Sequence, residues 1–114
     1  MRVKTAEKYN AVVLELKGNV MGGDDTKEFN ELLHKYIDGG KKNIIVDLHD
    51  VKFMNSSGLG MLIGGLTTMK KAEGNLKLAN VTDKIQSLLV ITKLITIFEY
   101  YNSVDEAANS FSAS

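Results

Sequence analysis

The stretch Asn55-Ser56-Ser57-Gly58-Leu59-Gly60 holds the residues of this chain best suited to chemistry, two adjacent hydroxyls set among an amide and glycines. Either serine can cap a helix by accepting a backbone N–H, and that use alone would account for a serine at this point. Charge sets the segment apart. Between Val51 and Met69 the only ionisable side chain is Lys52, so a phosphate here would add about −1.5 to −2 charges to an almost neutral surface. The N-terminus of a helix favours an anion through its amides and its dipole, so the fold could carry the group. A partner that buried the same patch would have to strip water from the phosphate, and binding would fail. No sequence-evident base accompanies the serines, so a nucleophilic enzyme is not expected.

The helix opened by this turn contains Gly58, Gly60, Gly64 and Gly65. Each glycine inside a helix costs about 0.5–1 kcal/mol relative to alanine. Close approach by another surface would explain them. Tight packing of the helix on its own sheet is the competing explanation, and it suits Gly64 and Gly65 better than Gly58 and Gly60.

The elements that must position this turn follow from periodicity. Ala11–Lys17 alternates Val12, Leu14 and Leu16 against Val13, Glu15 and Lys17, a half-buried strand ended by Gly18. A short strand around Val3 is expected beside it. Asp25 and Glu28 form an Asp-x-x-Glu capping box before a stripe of Phe29, Leu32, Leu33, Tyr36 and Ile37, which stops at Gly39-Gly40. Asn43–Leu48 is β-branched and apolar on both faces, a covered central strand. Val51–Met54 connects it to the second helix, whose apolar positions are Leu59, Leu62, Ile63, Leu66 and Met69. A strand over Leu76–Ala79, a helix started by Thr82 and Asp83, a strand over Ile95–Tyr100 and a helix capped by Ser103 and Glu106 complete the chain. The tail Ser112-Ala113-Ser114 is expected to fray. The alternation implies one α/β domain over residues 1–114, with a mixed sheet of about four to five strands and about four helices.

Composition narrows the function. The 114 residues carry 14 Lys plus Arg against 14 Asp plus Glu. This balance offers no electrostatic footprint for nucleic acid and no basic face for anionic lipid. Cysteine is absent, which excludes thiol catalysis and cysteine zinc sites and fits a reducing compartment. The N-terminus lacks an apolar core for a secretory signal, and no apolar run approaches the roughly 20 residues of a membrane span. A cytoplasmic protein without cofactor or metal is expected. His34 and His49 are the only histidines and read as surface or structural residues; Asp47 and Asp50 read as bounding a strand and its turn.

The hydrophobic-Asn-Ser-Ser-Gly-Leu-Gly turn between a central strand and a helix resembles the signature of the STAS domain, above all that of bacterial anti-sigma-factor antagonists. The resemblance extends over the element order, the Gly18 loop, and the later KLANV and VITKLITIFEYYNSVDEA segments. It implies a phosphoacceptor at Ser56, with Ser57 as the second choice for that role and otherwise its neighbour and a possible cap. It also implies partner switching. The unphosphorylated form binds an anti-sigma factor with serine-kinase activity and frees that factor's target, phosphorylation ends the complex, and a PP2C-type phosphatase resets it. The partner surface so implied comprises Met21, Gly22, Met54, Asn55, Ser56, Ser57, Gly58, Leu59, Gly60 and Met61. Asn55 and the loop Asn19–Gly23 stand where many members carry aspartate. A less basic, more apolar partner is therefore expected, with Met21 and Met54 as adaptable contacts. A constitutive adaptor in a membrane transport or signalling assembly is the alternative role for such a domain.

Two other resemblances fail on spacing. Gly58-Leu59-Gly60 with Gly64 is not the G-x-G-x-x-G of a dinucleotide loop. A response-regulator receiver would need an acidic pair after the first strand and a late basic residue, and neither has a counterpart.

Overall fold

A computed structural model describes residues 1–112. Five strands form one sheet in the order β1-β2-β3-β4-β5: β1 (Arg2–Lys8), β2 (Ala11–Val20), β3 (Asn43–Met54), β4 (Asn75–Ala79) and β5 (Tyr100–Tyr101). The β1–β2 hairpin is antiparallel and every later pairing is parallel. Four helices connect or follow the strands: α1 (Asp24–Asp38), α2 (Ser56–Lys71), α3 (Asp83–Ile91) and α4 (Val104–Ser112). This is the α/β architecture, strand number and helix number expected from the pattern. Helix α4 continues through Ser112, so the fraying expected of Ala113 and Ser114 lies outside the described residues.

The sheet is covered unequally. On one face Val12, Leu14, Leu16, Ile44, Val46, Leu48, Leu76 and Leu78 pack with Phe29 and Leu33 of α1, Leu59, Leu62 and Met69 of α2, and Ile85 and Leu89 of α3. On the other, Ala11, Val13, Ile45 and Ala79 pack with Ala107, Ala108 and Phe111 of α4. The half-buried reading of β2 is therefore corrected: its first four residues are buried on both faces because α4 lies over them. Beyond Val13 that second face carries Glu15 and Lys17, and Lys17 Nζ lies 3.6 Å from Glu15 and 3.8 Å from Asp50.

Gly18 does not end β2. Its φ of 87° sits in a bulged stretch, with register shifts between Glu15 and Lys17 and between Gly18 and Asn19. The strand resumes and pairs Asn19 with Phe53 and Val20 with Met54. Consequently β3 runs six residues beyond Leu48, and the expected Val51–Met54 connection is strand. Asp47 and Asp50 lie inside it rather than bounding it. Buried Asp47 accepts the His49 N–H and the Asn80 side-chain amide, each at 3.0 Å.

Helix starts follow the expected chemistry in two of three cases. Thr82 accepts the Ile85 N–H at 3.4 Å. Ser103 accepts the Glu106 N–H at 3.1 Å, and the Glu106 carboxylate reaches back to the Asn102 N–H at 3.2 Å. The Asp25–Glu28 box is not formed. Gly23 is the N-cap of α1 without a side-chain bond, and Asp25 instead accepts the Met21 N–H at 3.5 Å. The strand expected over 95–100 is also corrected. Leu94 and Ile95 fold back so that both N–H groups reach the Leu89 carbonyl, and Phe98 turns into the main core. Only Tyr100 and Tyr101 pair with β4.

Candidate functional site at the β3–α2 junction

Because β3 extends to Met54, the turn into α2 contains a single residue, Asn55. Asn55 is extended (φ −98°, ψ −178°), and its side-chain oxygen accepts the Gly58 N–H at 2.8 Å. That is an N-cap bond, so neither serine is needed for the purpose. Ser56 and Ser57 are the first two residues of the helix, both are exposed, and neither hydroxyl has a hydrogen-bond partner among the described residues. The N–H groups of a first helical turn have no partner within the helix and point out along its axis, so the Ser56 hydroxyl stands at the positive end of the α2 dipole.

Two glycines lock the turn to the β2–α1 loop. A Cβ on Gly58 would lie 2.1 Å from the Val20 carbonyl oxygen, and a Cβ on Gly22 would lie 2.7 Å from Ser57 Cβ. The Asn55 N–H also reaches the Val20 carbonyl at 3.4 Å. The two loops therefore hold each other by backbone contact, without a side-chain clasp that could swing.

The glycines of α2 divide cleanly. Gly58 and Gly65 face inward, and a Cβ on Gly65 would come within 2.6 Å of the Phe29 ring. Gly60 and Gly64 have open space where a Cβ would go. Tight internal packing thus explains one glycine of each pair, and it explains Gly58 where the sequence suggested it least. Gly60 and Gly64 border a groove of about 270 Å³ between α1 and α2, walled by Thr26, Asn30 and Thr68 with Phe29 at its floor.

Burial sorts the residues expected at the partner surface. Met21, Ser56, Ser57 and Gly60 are exposed and Asn55 is half-buried. Met54, Leu59 and Met61 are 5 %, 2 % and 3 % exposed because their side chains belong to the main core. Gly58 and Gly22 are buried against the opposite loop. The reading of Met54 as an adaptable contact is corrected on this ground: β3 pairing turns it inward beside Val20. Phe53, absent from the expected set, is 43 % exposed. Its adjacency to a buried Met54 in an alternating strand was the available signal. His34 and His49 are exposed, and no group of three or more His, Cys, Asp or Glu among the described residues could hold a metal ion. No helix among them is long and apolar enough to cross a membrane.

A mixed five-stranded sheet with four helices, and an exposed serine pair at the start of the second, places the chain among small α/β domains of one family. The chain belongs to the STAS domain family, whose family model matches residues 2–107. It is 21% identical over 107 residues to the Bordetella bronchiseptica protein BtrV, a candidate anti-sigma factor antagonist by name, covering 94% of this chain and 92% of that one. It is 34% identical over 67 residues to the anti-sigma-B factor antagonist of Staphylococcus aureus, a match that spans 59% of this chain and 62% of the relative. Among solved structures, a Thermotoga maritima protein described as a candidate anti-sigma factor antagonist superposes with a TM-score of 0.84 at 20% identity, over 95% of this chain and 92% of that one. The phosphorylated form of the Bacillus cell fate determinant SpoIIAA superposes at 0.72 with 19% identity, over 96% and 99%. At these identities the superpositions show the shared fold.

Proposed function

We propose that the protein is an anti-sigma-factor antagonist that switches partners through Ser56. In this reading the unphosphorylated face around Ser56 docks on an anti-sigma factor with serine-kinase activity and displaces that factor's target. Phosphorylation then ends the complex, and a PP2C-type phosphatase restores it. The observation that carries the reading is the Asn55–Gly58 cap bond at 2.8 Å, which leaves the Ser56 hydroxyl exposed and free of any duty in the fold. A hydroxyl that caps the helix could not be esterified without loss of its bond to the backbone; Ser56 can. Names of the relatives supply the anti-sigma factor as the partner class. A phosphorylated form of a protein with this fold supports the view that such a domain carries the modification while folded.

The step is a phosphoryl transfer. The Ser56 Oγ–H gives up its proton to a base of the partner, an O–P bond forms to the terminal phosphorus of a nucleoside triphosphate, and the bridging P–O bond breaks to release the diphosphate. The partner supplies that chemistry, and this chain supplies a positioned acceptor. Charge explains why the modification would act as a switch, because α2 carries no ionisable side chain before Lys70. Affinity capture of Ser56→Ala and Ser56→Asp proteins, with phosphosite mapping of the native protein, tests the reading. Phosphate on Ser56, with the anti-sigma factor retained by Ser56→Ala and lost by Ser56→Asp, is the expected result. No phosphate and equal capture by both variants would point to a constitutive adaptor.

A further inference from the structure

The two faces of the sheet are covered by different material. Beneath α1, α2 and α3 the core is built from the larger aliphatic and aromatic side chains. Beneath α4, four of the seven buried apolar members are alanines: Ala11, Ala79, Ala107 and Ala108. A charge lies among them. Lys77 pairs with Ile45 in the β3–β4 ladder and so turns its side chain up under α4, where only 7 % of it is exposed. Its ammonium donates to Ser110 Oγ at 2.8 Å, and that hydroxyl donates in turn to the Ala107 carbonyl at 2.6 Å. Glu99 Oε1 stands 3.8 Å away, beyond hydrogen-bond reach. The ring centroids of Phe111 and Tyr101 lie 4.2 Å and 5.7 Å from Nζ. A buried ammonium needs a close opposite charge and full hydrogen bonding to offset its lost hydration. Lys77 has one neutral hydroxyl, a carboxylate out of contact and two rings.

We propose that α4 is a cover that opens as one unit from a sheet that stays folded, and that the buried Lys77 ammonium favours the open form. Undocking returns the ammonium to water. The apolar surface given up is mostly alanine, with Val13, Ile45 and Phe111 as the larger members. The Ser110 bond and the Lys8–Asp105 ion pair hold α4 closed, and the second is a surface pair of little strength. Segments with few buried apolar contacts open locally, below the free energy of global unfolding. Opening uncovers Val13 and Ile45 beside a freed positive charge, so α4 gates an apolar sheet face that the closed domain hides. Leu59, Leu62 and Met69 of α2 pack on the opposite face. The serine turn therefore keeps its support in the open form, and the cover does not depend on the reading of Ser56.

Hydrogen exchange of the full chain in rising, sub-denaturing urea, read amide by amide by NMR, tests this. The helical amides of α4 should exchange together, at urea concentrations where those of β2 and β3 remain protected. Lys77→Met keeps an unbranched side chain without its charge, and should slow α4 exchange about tenfold while the amides of α2 are unaffected. Ser110→Ala leaves the ammonium without its hydrogen bond and should speed α4 exchange about tenfold. Exchange of α4 only together with the sheet, in one global unfolding, would overturn the proposal. So would unchanged or faster α4 exchange in Lys77→Met, or failure of that variant to fold, because the lysine would then hold the helix down. Equal α4 exchange in the native and Ser110→Ala proteins would overturn it as well.

Discussion

The side-chain oxygen of Asn55 accepts the Gly58 N–H at 2.8 Å, one residue before a serine whose own hydroxyl has no partner among the described residues. The bond leaves Ser56 with no part in capping the helix. Asn55→Ala should cost about 1 kcal/mol, since a lost N-cap typically costs that much, and should lower the melting temperature by about 4 °C in a domain of this size. Ser56→Ala should change stability by less than about 0.5 kcal/mol, as an exposed substitution outside any such feature does. Urea melts of the two variants check the pair. The reverse order would place the cap on Ser56 and remove the argument for its freedom.

Ser56→Asp should leave the fold at least as stable as the native protein. A carboxylate in the first turn of α2 meets the positive end of the helix dipole, a stabilising contact worth about 0.3–1 kcal/mol at low salt. Melts at low and high ionic strength check this, and any gain should shrink as salt is added. Loss of binding in a variant that melts no lower than the native protein would then be assigned to the surface and not to unfolding.

Much of this arrangement was legible before the fold. The β-branched run Asn43–Leu48, the Phe29–Ile37 stripe and the Thr82 and Ser103 helix starts all rest on local patterning, and local patterning was enough. The cap of α2 was not readable, because Asn55, Ser56 and Ser57 are all competent capping residues. What selects Asn55 is the extension of β3 to Met54, and that depends on the register shifts of a parallel pairing more than thirty residues apart in sequence. The inward faces of Met54, Leu59 and Met61 were hidden for a related reason. Helix α2 has uncharged residues on every side until Lys70, so periodicity could not tell which face meets the sheet. Ile95–Tyr100 reads as a strand by residue type. Tertiary packing of Phe98 into the core overrides that propensity.

The hairpin end should respond to pH through Lys8. Its ammonium bonds the Asp105 carboxylate, and this hydrogen bond, followed by the Coulombic attraction of the same group, raises the Lys8 pKa above its ordinary 10.5. A raised folded-state pKa means that the pair stabilises the fold fully below the unfolded value, and that this contribution disappears as pH climbs through the folded value. The pair lies at the surface, with 40 % of the Lys8 side chain and 62 % of the Asp105 side chain exposed, so the effect is small and screened by salt. Native and Asp105→Asn proteins should therefore differ in melting temperature at neutral pH and low salt. They should converge in strongly alkaline solution, and a difference that persisted there would assign it to Asp105 at the start of α4 rather than to the ion pair.

Alanine substitution of the α2 glycines should split by sign. Gly58→Ala drives a methyl to 2.1 Å from the Val20 carbonyl oxygen, and Gly65→Ala drives one to 2.6 Å from the Phe29 ring. Overpacking of this kind costs about 1–3 kcal/mol. Gly58 should lie at the upper end, because its obstacle is backbone that cannot rotate away. Gly60→Ala and Gly64→Ala meet nothing within 4 Å, and each should stabilise the fold by about 0.5–1 kcal/mol by removing glycine from a helix interior. A chain that keeps two glycines which its own packing does not require carries a fold less stable than it could be. On the proposed reading, a partner that approaches α2 closely would need them, and the groove beside them is where it would lie. The double variant Gly60→Ala/Gly64→Ala should thus melt higher than the native protein yet bind the anti-sigma factor more weakly, because two methyl groups hold the partner backbone off the helix. Isothermal titration with the captured partner reads the affinity, and an unchanged value in the more stable double variant would remove this face of α2 from the interface.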